Sequence, residues 1–409
     1  MSKRSFILLL NCILALTLSA QSIEKLLLDG WRFHQGAAQG AEQAAYDDSQ
    51  WQEVSIPHDW AISGPFDKDI DKQVVAIMEN GEQKATEKTG RSGSLPWVGE
   101  GWYRTAFDIP EGYTCGELVF DGAMAEPHVW VDGQDVGYWA FGYNVFRLQL
   151  GGELMKPGRH TLAVHLQNVE ESSRWYPGAG IYRPVRLVLH KEVHIDRWET
   201  FVRTTRLDGI TPDHTQAERA RLTVSSTVES PAYDGKLSVT HTLLDASGKP
   251  AGASKKTLWK DFKQTVQTID VDQPLLWSPE HPVLYTLVTE VHKDNKLCDR
   301  QETKVGIRLA EYNQQGFFLN GEQRKFRGVC LHHDMGPTGT AFYKDAFRRQ
   351  VRLLKEMGCD AIRTSHNTPC PWQMDICDEM GMMVMAESFD MWKIPKCKNG
   401  YARFFDETD

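Results

Sequence analysis

The sequence predicts a multidomain β plus α/β protein, in which two β-sandwiches precede the start of an α/β barrel. The chain has 409 residues, which is enough for two to four domains of about 100–200 residues each. Two successive regions carry short alternating strand patterns between turns, and the periodicity becomes helical after Glu311. We therefore expect two all-β units followed by an α/β unit.

Composition and charge favour ordinary globular cores. Hydrophobic residues make up 41% of the chain, and 46 Lys and Arg against 55 Asp and Glu leave a net charge of -9. An acidic chain without a block of basic residues is not expected to bind nucleic acid, because phosphate neutralisation needs a concentrated positive face. The 13 Trp and 12 Tyr suit sugar faces as well as they suit cores.

The first 20 residues are expected to be a secretory signal peptide. Lys3 and Arg4 precede a nearly continuous apolar stretch, Phe6–Leu18, which is followed by the small residues Ser19 and Ala20. This stretch is shorter than the ~20 residues of a membrane span. We therefore expect export to the periplasm or the medium, without membrane attachment after cleavage.

The cysteines do not indicate a disulfide framework. Seven cysteines follow the signal peptide, an odd number, and they are scattered through strand and helix patterns. Cys370 and Cys377 lack the C-x-x-C spacing of a zinc site. We predict neither a structural metal nor a cofactor.

The first β region, residues 21–192, is predicted to be a jelly-roll-like sandwich. Glu117–Asp121 has a strand pattern, Asp132-Gly133 is a hairpin signal, and apolar residues alternate with others in Leu162–Leu166. The polar stretch Asp67–Gly93 interrupts this pattern, and we expect it to be a long loop.

The second β region, residues 193–309, is predicted to be an immunoglobulin-like sandwich. Strand patterns occur at Arg221–Thr227, Leu237–Leu244 and Leu284–Val291, and Ala246–Gly248 is a turn signal between two strands. About seven strands in a segment of this length are typical of that fold.

The third region, residues 310–409, is predicted to be an incomplete (β/α)8 TIM barrel containing its first three βα units. A buried strand at Phe326–Leu331 is followed by an amphipathic helix at Tyr343–Met357, which Gly358 ends. A strand at Ala361–Ser365, a helix at 371–380 that begins with Pro371, and a strand at Met382–Ala386 come next. A βαβαβ run with short connections indicates parallel strands.

Polar residues cluster directly after each of these three strands. They are His332–Asp334, Ser365–Asn367 and Glu387–Asp390. In a (β/α)8 barrel the carboxyl ends of the strands form the catalytic face. We therefore expect these side chains to lie close together at a functional site.

Six motifs, in this order, resemble glycoside hydrolase family 2, and within it the exported bacterial β-galactosidases. The motifs are Pro57–Trp60, Gly101–Arg104, Ser173–Arg183, Leu276–Pro279, Phe326–Asp334 and Ile362–Asn367. The resemblance covers nearly the whole chain after the signal peptide. It implies a retaining glycosidase that hydrolyses terminal β-linked sugars, with a β-galactoside or related glycan as ligand.

The resemblance also implies that no catalytic residue lies in this sequence. Retaining enzymes need two carboxyl groups about 5–5.5 Å apart, and in the family both are glutamates after barrel strands four and seven. Only 87 residues follow Glu322, whereas a complete barrel takes about 250, and the family's Asn-Glu dipeptide is absent. We expect both glutamates beyond Asp409 or lost, and the chain inactive alone. The alternative is a noncatalytic carbohydrate-binding or partner-binding product.

Four predicted substrate-binding residues lie at the first two strand ends. By resemblance, His332 and His366 line the sugar site; alternatively, such a histidine only satisfies a neighbouring backbone carbonyl. Arg363 would orient a carboxylate from a later strand, or form a structural ion pair in the barrel. Asn367 would donate to a sugar hydroxyl, or cap the turn before Pro369.

The remaining predicted substrate-binding residues are Glu387 and Arg174. Glu387 follows the third strand like an active-site carboxylate of the family, although Ala386 replaces the acidic residue common before it. Arg174 and Trp175 lie in a loop that in relatives reaches towards the barrel mouth, and a structural role at the domain junction is the alternative. The family's metal-binding carboxylate and histidine are not matched by Phe389–Trp392, so no metal is predicted there.

Overall fold

The structure, a computed structural model, describes residues 22–64, 73–79, 82–89, 99–170, 172–232, 234–255, 257–260 and 264–405. The predicted signal peptide lies outside these residues. Two antiparallel β-sandwiches and a parallel α/β unit follow one another along the described chain, so the predicted fold class is confirmed.

The first sandwich has a four-stranded sheet in the order β1-β12-β7-β10 and a six-stranded sheet in the order β3-β2-β6-β11-β8-β9. Its core lies between them and contains Trp31, Tyr103, Phe120 and Leu162. The strands described in this region are β1 (Ile23–Leu26), β2 (Trp31–Gln35), β3 (Gln52–Val54), β4 (Gln73–Glu79), β5 (Glu82–Thr89), β6 (Gly99–Ile109), β7 (Cys115–Phe120), β8 (His128–Val131), β9 (Gln134–Tyr138), β10 (Phe146–Leu150), β11 (Gly158–Asn168) and β12 (Val185–His190).

The predicted hairpin and alternation in this sandwich are confirmed. Asp132 and Gly133 both have positive φ angles, 52° and 79°, as a tight hairpin turn between β8 and β9 requires. Leu162, Val164 and Leu166 are all fully buried on one face of β11.

The prediction of a long loop at Asp67–Gly93 was wrong. This stretch contains β4 and β5, which pair antiparallel. Its polar composition suggested a loop, but Val74–Ile77 is rich in β-branched residues, and the dipeptide Asn80-Gly81, a strong hairpin signal, separates the two strands in the sequence.

The second sandwich packs two sheets around a core that includes Leu222, Leu243, Ile269 and Leu287. In one sheet β15 pairs with β13, β14 and β19, and in the other the order is β17-β16-β20-β21 with β18 also on β16. The strands are β13 (His194–Ile195), β14 (Phe201–Asp208), β15 (Arg219–Glu229), β16 (Asp234–Leu244), β17 (Pro250–Ala253), β18 (Thr257–Lys260), β19 (Gln264–Asp272), β20 (Tyr285–Lys293) and β21 (Lys296–Val305).

A small antiparallel sheet leads into the α/β unit, whose three strands are parallel in the order β25-β26-β27. The predicted parallel βαβαβ order is therefore confirmed. The elements are β22 (Ala310–Asn313), β23 (Gly316–Leu319), β24 (Glu322–Arg324), β25 (Gly328–Leu331), α1 (Lys344–Glu356), β26 (Ala361–Thr364), α2 (Pro371–Met380) and β27 (Met383–Met385).

Local sequence signals account for both helices. Helix α1 buries Phe347, Val351 and Leu354, which share one face, against the sheet and α2. Gly358 and Gly381 follow the two helices with φ angles of 88° and 71°. This left-handed conformation suits glycine and ends each helix where the sequence predicts.

The strand predicted at Phe326–Leu331 is present at Gly328–Leu331, but the prediction that it is buried was wrong. Cys330 is exposed and Phe326 is 37% exposed. Strand β25 lies at the edge of the described three-stranded sheet, so it pairs with one strand only. Burial instead falls on the central strand β26, where Ile362 is 1% exposed.

The α/β unit is fixed to the second sandwich at the end of α2. Lys355 Nζ donates to the carbonyl oxygens of Gly381 at 3.0 Å and Pro279 at 2.6 Å. Trp277 Nε1 donates to the carbonyl oxygen of Asp378 at 2.8 Å. A cation at the carboxyl end of a helix is also favoured by the helix dipole.

The α/β unit is fixed to the first sandwich by the buried carboxylate of Asp59. It accepts hydrogen bonds from the backbone N–H groups of Ala61, Ala179 and Thr340 at 2.8–3.1 Å. The hydroxyls of Thr340 and Tyr176 donate at 3.0 and 2.7 Å. Asp59 is 1% exposed, and these donors replace the water that a buried carboxylate loses.

Glycines allow this close approach. A Cβ atom on Gly339 would lie 2.3 Å from Asp59 Oδ2, and one on Gly178 would lie 2.0 Å from Thr340 Oγ1. Both glycines have positive φ, 61° and 69°. A larger residue at either position would therefore strain the backbone and push the two regions apart.

Replacing Asp59 with Asn should destabilise the protein by about 3 kcal/mol, because in either orientation the amide NH₂ would face a backbone N–H group, which cannot accept a hydrogen bond. Urea unfolding followed by tryptophan fluorescence would measure the change. Asp108→Asn, an exposed position on β6, is the matched control and should change stability by less than about 0.5 kcal/mol. Equal stability of the two variants would contradict the role given to Asp59.

Candidate functional site

The candidate site lies at the carboxyl ends of β25, β26 and β27. His332 follows β25, His366 follows β26, and Glu387 follows β27. Because the strands are parallel, these ends meet at one edge of the sheet, and the side chains come together there as the sequence predicts.

Glu387 is held by two of the other predicted residues. Arg363 Nε donates to Glu387 Oε1, and His366 Nδ1 donates to Glu387 Oε2 at 2.7 Å. The backbone N–H of Glu387 donates to Thr364 Oγ1 at 3.1 Å. Since a carboxylate only accepts, Nδ1 of His366 carries a proton, and in the neutral imidazole Nε2 is then the acceptor.

Trp175, from the first sandwich, forms a wall of the site. Its ring stacks on the His332 imidazole with centroids 4.9 Å apart and an interplanar angle of 23°. The His366 ring lies 5.6 Å from Trp175 and 5.7 Å from His332. Burial lowers the pKa of His332, and the neighbouring His366 lowers it further, which favours the neutral imidazole.

Arg174 lies at the rim, where it binds the loop after β27. Its Nε and Nη2 atoms donate to the Asp390 carboxylate at 3.1 and 2.5 Å, and Lys396 Nζ donates to the same carboxylate at 3.0 Å. Although burial alone would raise the pKa of Asp390, hydrogen bonds from Arg174 and Lys396 hold it below its usual value. Arg174 therefore fixes the loop that carries Trp175.

Asn367 is 4% exposed, and neither its Oδ1 nor its Nδ2 has a hydrogen-bond partner in the described part of the chain. The alternative prediction, that the Asn367 side chain caps the turn before Pro369, is thus not seen in the structure. The peptide bond between Ser365 and His366, just before it, is cis. The role of Asn367 in sugar binding stays a prediction, as do the roles of the other five residues.

His333 hydrogen-bonds to a backbone carbonyl, which is the alternative role considered for His332 and His366. Its ring nitrogen Nε2 lies 3.0 Å from the carbonyl oxygen of Pro177, and its ring packs edge-on against Tyr143 at 4.8 Å. Burial lowers its pKa to about 3. His333 is therefore a neutral donor that ties the end of β25 to the first sandwich.

Trp175 is the residue of this site that the sequence did not assign to sugar binding, although it adjoins the predicted Arg174. Strand-end position could not identify it, because it comes from a loop of another domain.

Within the described ranges, His, Cys, Asp and Glu form no group of three or more that could hold a metal ion. No helix among those residues is long and apolar enough to cross a membrane.

Two β-sandwiches packed on a parallel α/β unit, with imidazoles and a carboxylate at its strand ends, agree with the resemblance to glycoside hydrolases that the motifs indicate. The comparisons identify the family. Residues 205–308 match the model of glycosyl hydrolases family 2, and residues 310–404 match that of the family's TIM barrel domain. The chain belongs to glycosyl hydrolase family 2.

Two curated relatives carry enzyme names. The chain is 37% identical to the β-galactosidase BoGH2A of Bacteroides ovatus over 92% of this chain and 42% of that protein. It is 33% identical to a putative β-glucuronidase of Formosa agariphila over 98% of this chain and 36% of that protein. The chain thus spans about 40% of the length of these relatives.

Solved structures of similar proteins agree with this fold. A glycosyl hydrolase family 2 member from Bacteroides cellulosilyticus superposes with a TM-score of 0.83 at 30% identity, covering 94% of this chain and 48% of the other. A β-glycosidase from Bacteroides vulgatus gives 0.80 at 34% identity, covering 94% and 47%.

Replacing Asp390 with Asn should give a pH-dependent loss of stability. A folded-state pKa below the ordinary value of 3.8 means that the contribution of Asp390 is present above about pH 4 and is lost as the pH falls through the lowered folded-state value. We expect about 2–3 kcal/mol of destabilisation at pH 7.

Urea unfolding between about pH 2 and 7 would measure this difference, which should shrink below about pH 4. Lys393→Ala, which removes an exposed charge from the same segment, is the control and should show no such trend. A destabilisation of Asp390→Asn that stays constant over this range would contradict the assignment.

Proposed function

We propose that this protein is a glycoside hydrolase of the β-galactosidase type that acts on terminal β-linked sugars by a retaining mechanism. We further propose that residues at the three strand ends bind the sugar, and that the 409-residue chain does not hydrolyse glycosides by itself. The observation that carries the proposal is the contact of Glu387 with His366 beside the stacked pair of Trp175 and His332.

This cluster has the chemistry that sugar recognition needs. Glu387 fixes Nδ1 of His366 as a donor, so Nε2 can accept from a sugar hydroxyl. Neutral His332 donates from one nitrogen to the backbone carbonyl of Ser365 and can accept from a sugar hydroxyl at the other. The indole of Trp175, which is 8% exposed, stacks on His332 and holds that imidazole at the site.

The carboxylates of Glu387 and Asp390 are engaged by neighbouring side chains. Retaining hydrolysis needs an acid/base and a nucleophile about 5–5.5 Å apart. Glu387 is occupied by Arg363 and His366, and Asp390 by Arg174 and Lys396. Ion-paired carboxylates of this kind orient their neighbours. This supports binding without turnover by the chain alone.

Similarity to BoGH2A, whose name gives it as a β-galactosidase, favours a galactoside as the sugar. A noncatalytic carbohydrate-binding product is the second candidate, and the occupied carboxylates favour it for these 409 residues. Export to the periplasm or the medium is part of the proposal and is supported by the apolar stretch Phe6–Leu18.

The purified chain should not release 4-nitrophenol from 4-nitrophenyl β-galactoside above background. The protein would be produced in a host without β-galactosidase, and Glu387→Gln would be assayed in parallel. Turnover that is present in the unaltered chain and lost in Glu387→Gln would show that Glu387 is catalytic, and would overturn the proposal.

Binding of methyl β-galactoside should be weakened about tenfold by His366→Ala, because one hydrogen bond to a hydroxyl is lost. Ligand-observed NMR titration would measure the affinities. His281→Ala, at an exposed histidine of the second sandwich, is the control and should bind like the unaltered chain. Equal affinity of the two variants would contradict a sugar site at the strand ends.

A further inference from the structure

Cys330 is the exposed member of the seven cysteines that the structure describes, all of which are free thiols. It lies on β25 between Val329 and Leu331, whose side chains pack with the helices of the α/β unit. Because side chains alternate along a strand, the thiol of Cys330 points to the opposite face of the sheet. An exposed thiol on that face is open to reagents in solution.

The guanidinium of Arg363 is the charged group beside this thiol. The register of the parallel strands pairs Cys330 with Arg363 of β26, and Arg363 Nη1 lies 3.5 Å from Cys330 Sγ. Nε of the same guanidinium donates to Glu387 Oε1. The thiol is therefore connected to the strand-end cluster through one side chain. A cation beside a sulfur stabilises the thiolate, which is the nucleophilic form of cysteine.

The hydroxyl of Ser365 is the second polar group at the sulfur. Ser365 and Arg363 lower the pKa of the Cys330 thiol by hydrogen bonding, although slight burial and the charge of Glu387 oppose this effect. Ser365 is 3% exposed, and its Oγ has no oxygen or nitrogen partner among the described residues. A buried hydroxyl left in this state beside a thiol indicates a place for an added polar group.

The other described cysteines lack this environment, since each of them is half-buried or buried. Burial raises the pKa of Cys370 to about 11 and that of Cys377 to about 12. It also raises the pKa of Cys115 and Cys298. Thiol reactivity depends on access and on the thiolate fraction. Cys330 is therefore the thiol of the described chain that is expected to react first.

We propose that Cys330 is a covalent modification site at the strand ends, where a low-molecular-weight disulfide exchanges with the protein thiol. The thiol first loses its proton to solvent. The Cys330 thiolate then attacks one sulfur of the disulfide, a new S–S bond to Cys330 forms as the old one breaks, and the other half leaves as a thiolate. The protein sulfur is oxidised and the departing sulfur is reduced. The proposal does not depend on the function proposed above, because the reaction involves no sugar.

Reaction of the folded protein with 5,5′-dithiobis(2-nitrobenzoate) would test the proposal, because the absorbance of the released aromatic thiolate reports the rate. Peptide mass spectrometry after one equivalent of reagent would locate the modified cysteine. Arg363→Gln should slow the fast phase about three- to tenfold, because the thiolate loses its cation, and Arg363→Lys should restore most of the rate. Cys330→Ser should abolish the fast phase. Cys298→Ser, which removes a half-buried thiol of the second sandwich, is the matched control and should retain it.

The expected result is one fast equivalent located at Cys330, followed by slower reaction of the other thiols. Fast modification at a different cysteine, or equal rates for all of them, would overturn the proposal. Equal rates in Arg363→Gln and the unaltered protein would overturn it as well. If a variant fails to fold, the location of the modification in the unaltered protein still decides the question. None of these outcomes bears on sugar binding, so the two proposals fail separately.

Discussion

The arrangement of the site depends on the buried carboxylate of Asp59. Five donors from three chain segments converge on it, and two of those donors belong to Thr340 in the α/β unit. The others hold the turn after Asp59 and the loop around Ala179 in the first sandwich. That loop also carries Trp175 and Arg174. The position of the indole against His332 therefore follows from the satisfaction of one desolvated charge.

Local signals predicted most of the fold. Gly358 and Gly381 end their helices, and Asp132-Gly133 forms its hairpin, because these conformations depend on the residues themselves. The two wrong predictions, a loop at Asp67–Gly93 and burial of Phe326–Leu331, relied on the overall composition of a segment. A polar composition concealed β4 and β5, and an apolar run at Phe326–Leu331 suggested burial although sheet order places β25 at an edge. Whether a strand lies at the edge of a sheet depends on the order of the strands, which the residue pattern of one strand does not show.

The site was predictable where it depends on strand order. His332, His366 and Glu387 meet because parallel strands align their carboxyl ends. The hydrogen bond between Glu387 and His366 could not be predicted from the sequence, because the resemblance indicated only that each residue lies near the sugar. The resemblance placed the loop of Trp175 towards the barrel mouth, but the contact of Trp175 with His332 depends on how two domains pack. The same packing gives Arg174 a partner in Asp390, so the structural alternative for that residue has direct support.

The contribution of Trp175 has a consequence for modularity. Domain boundaries drawn along the chain separate the first sandwich from the α/β unit, yet the surface at the strand ends is composed of both. Recombination that exchanged the α/β unit alone would join its histidines to a foreign loop. This surface is thus kept only when the first sandwich and the α/β unit are inherited together. The second sandwich lies between them in the chain and is fixed to the α/β unit through Lys355 and Trp277, so it is inherited with them.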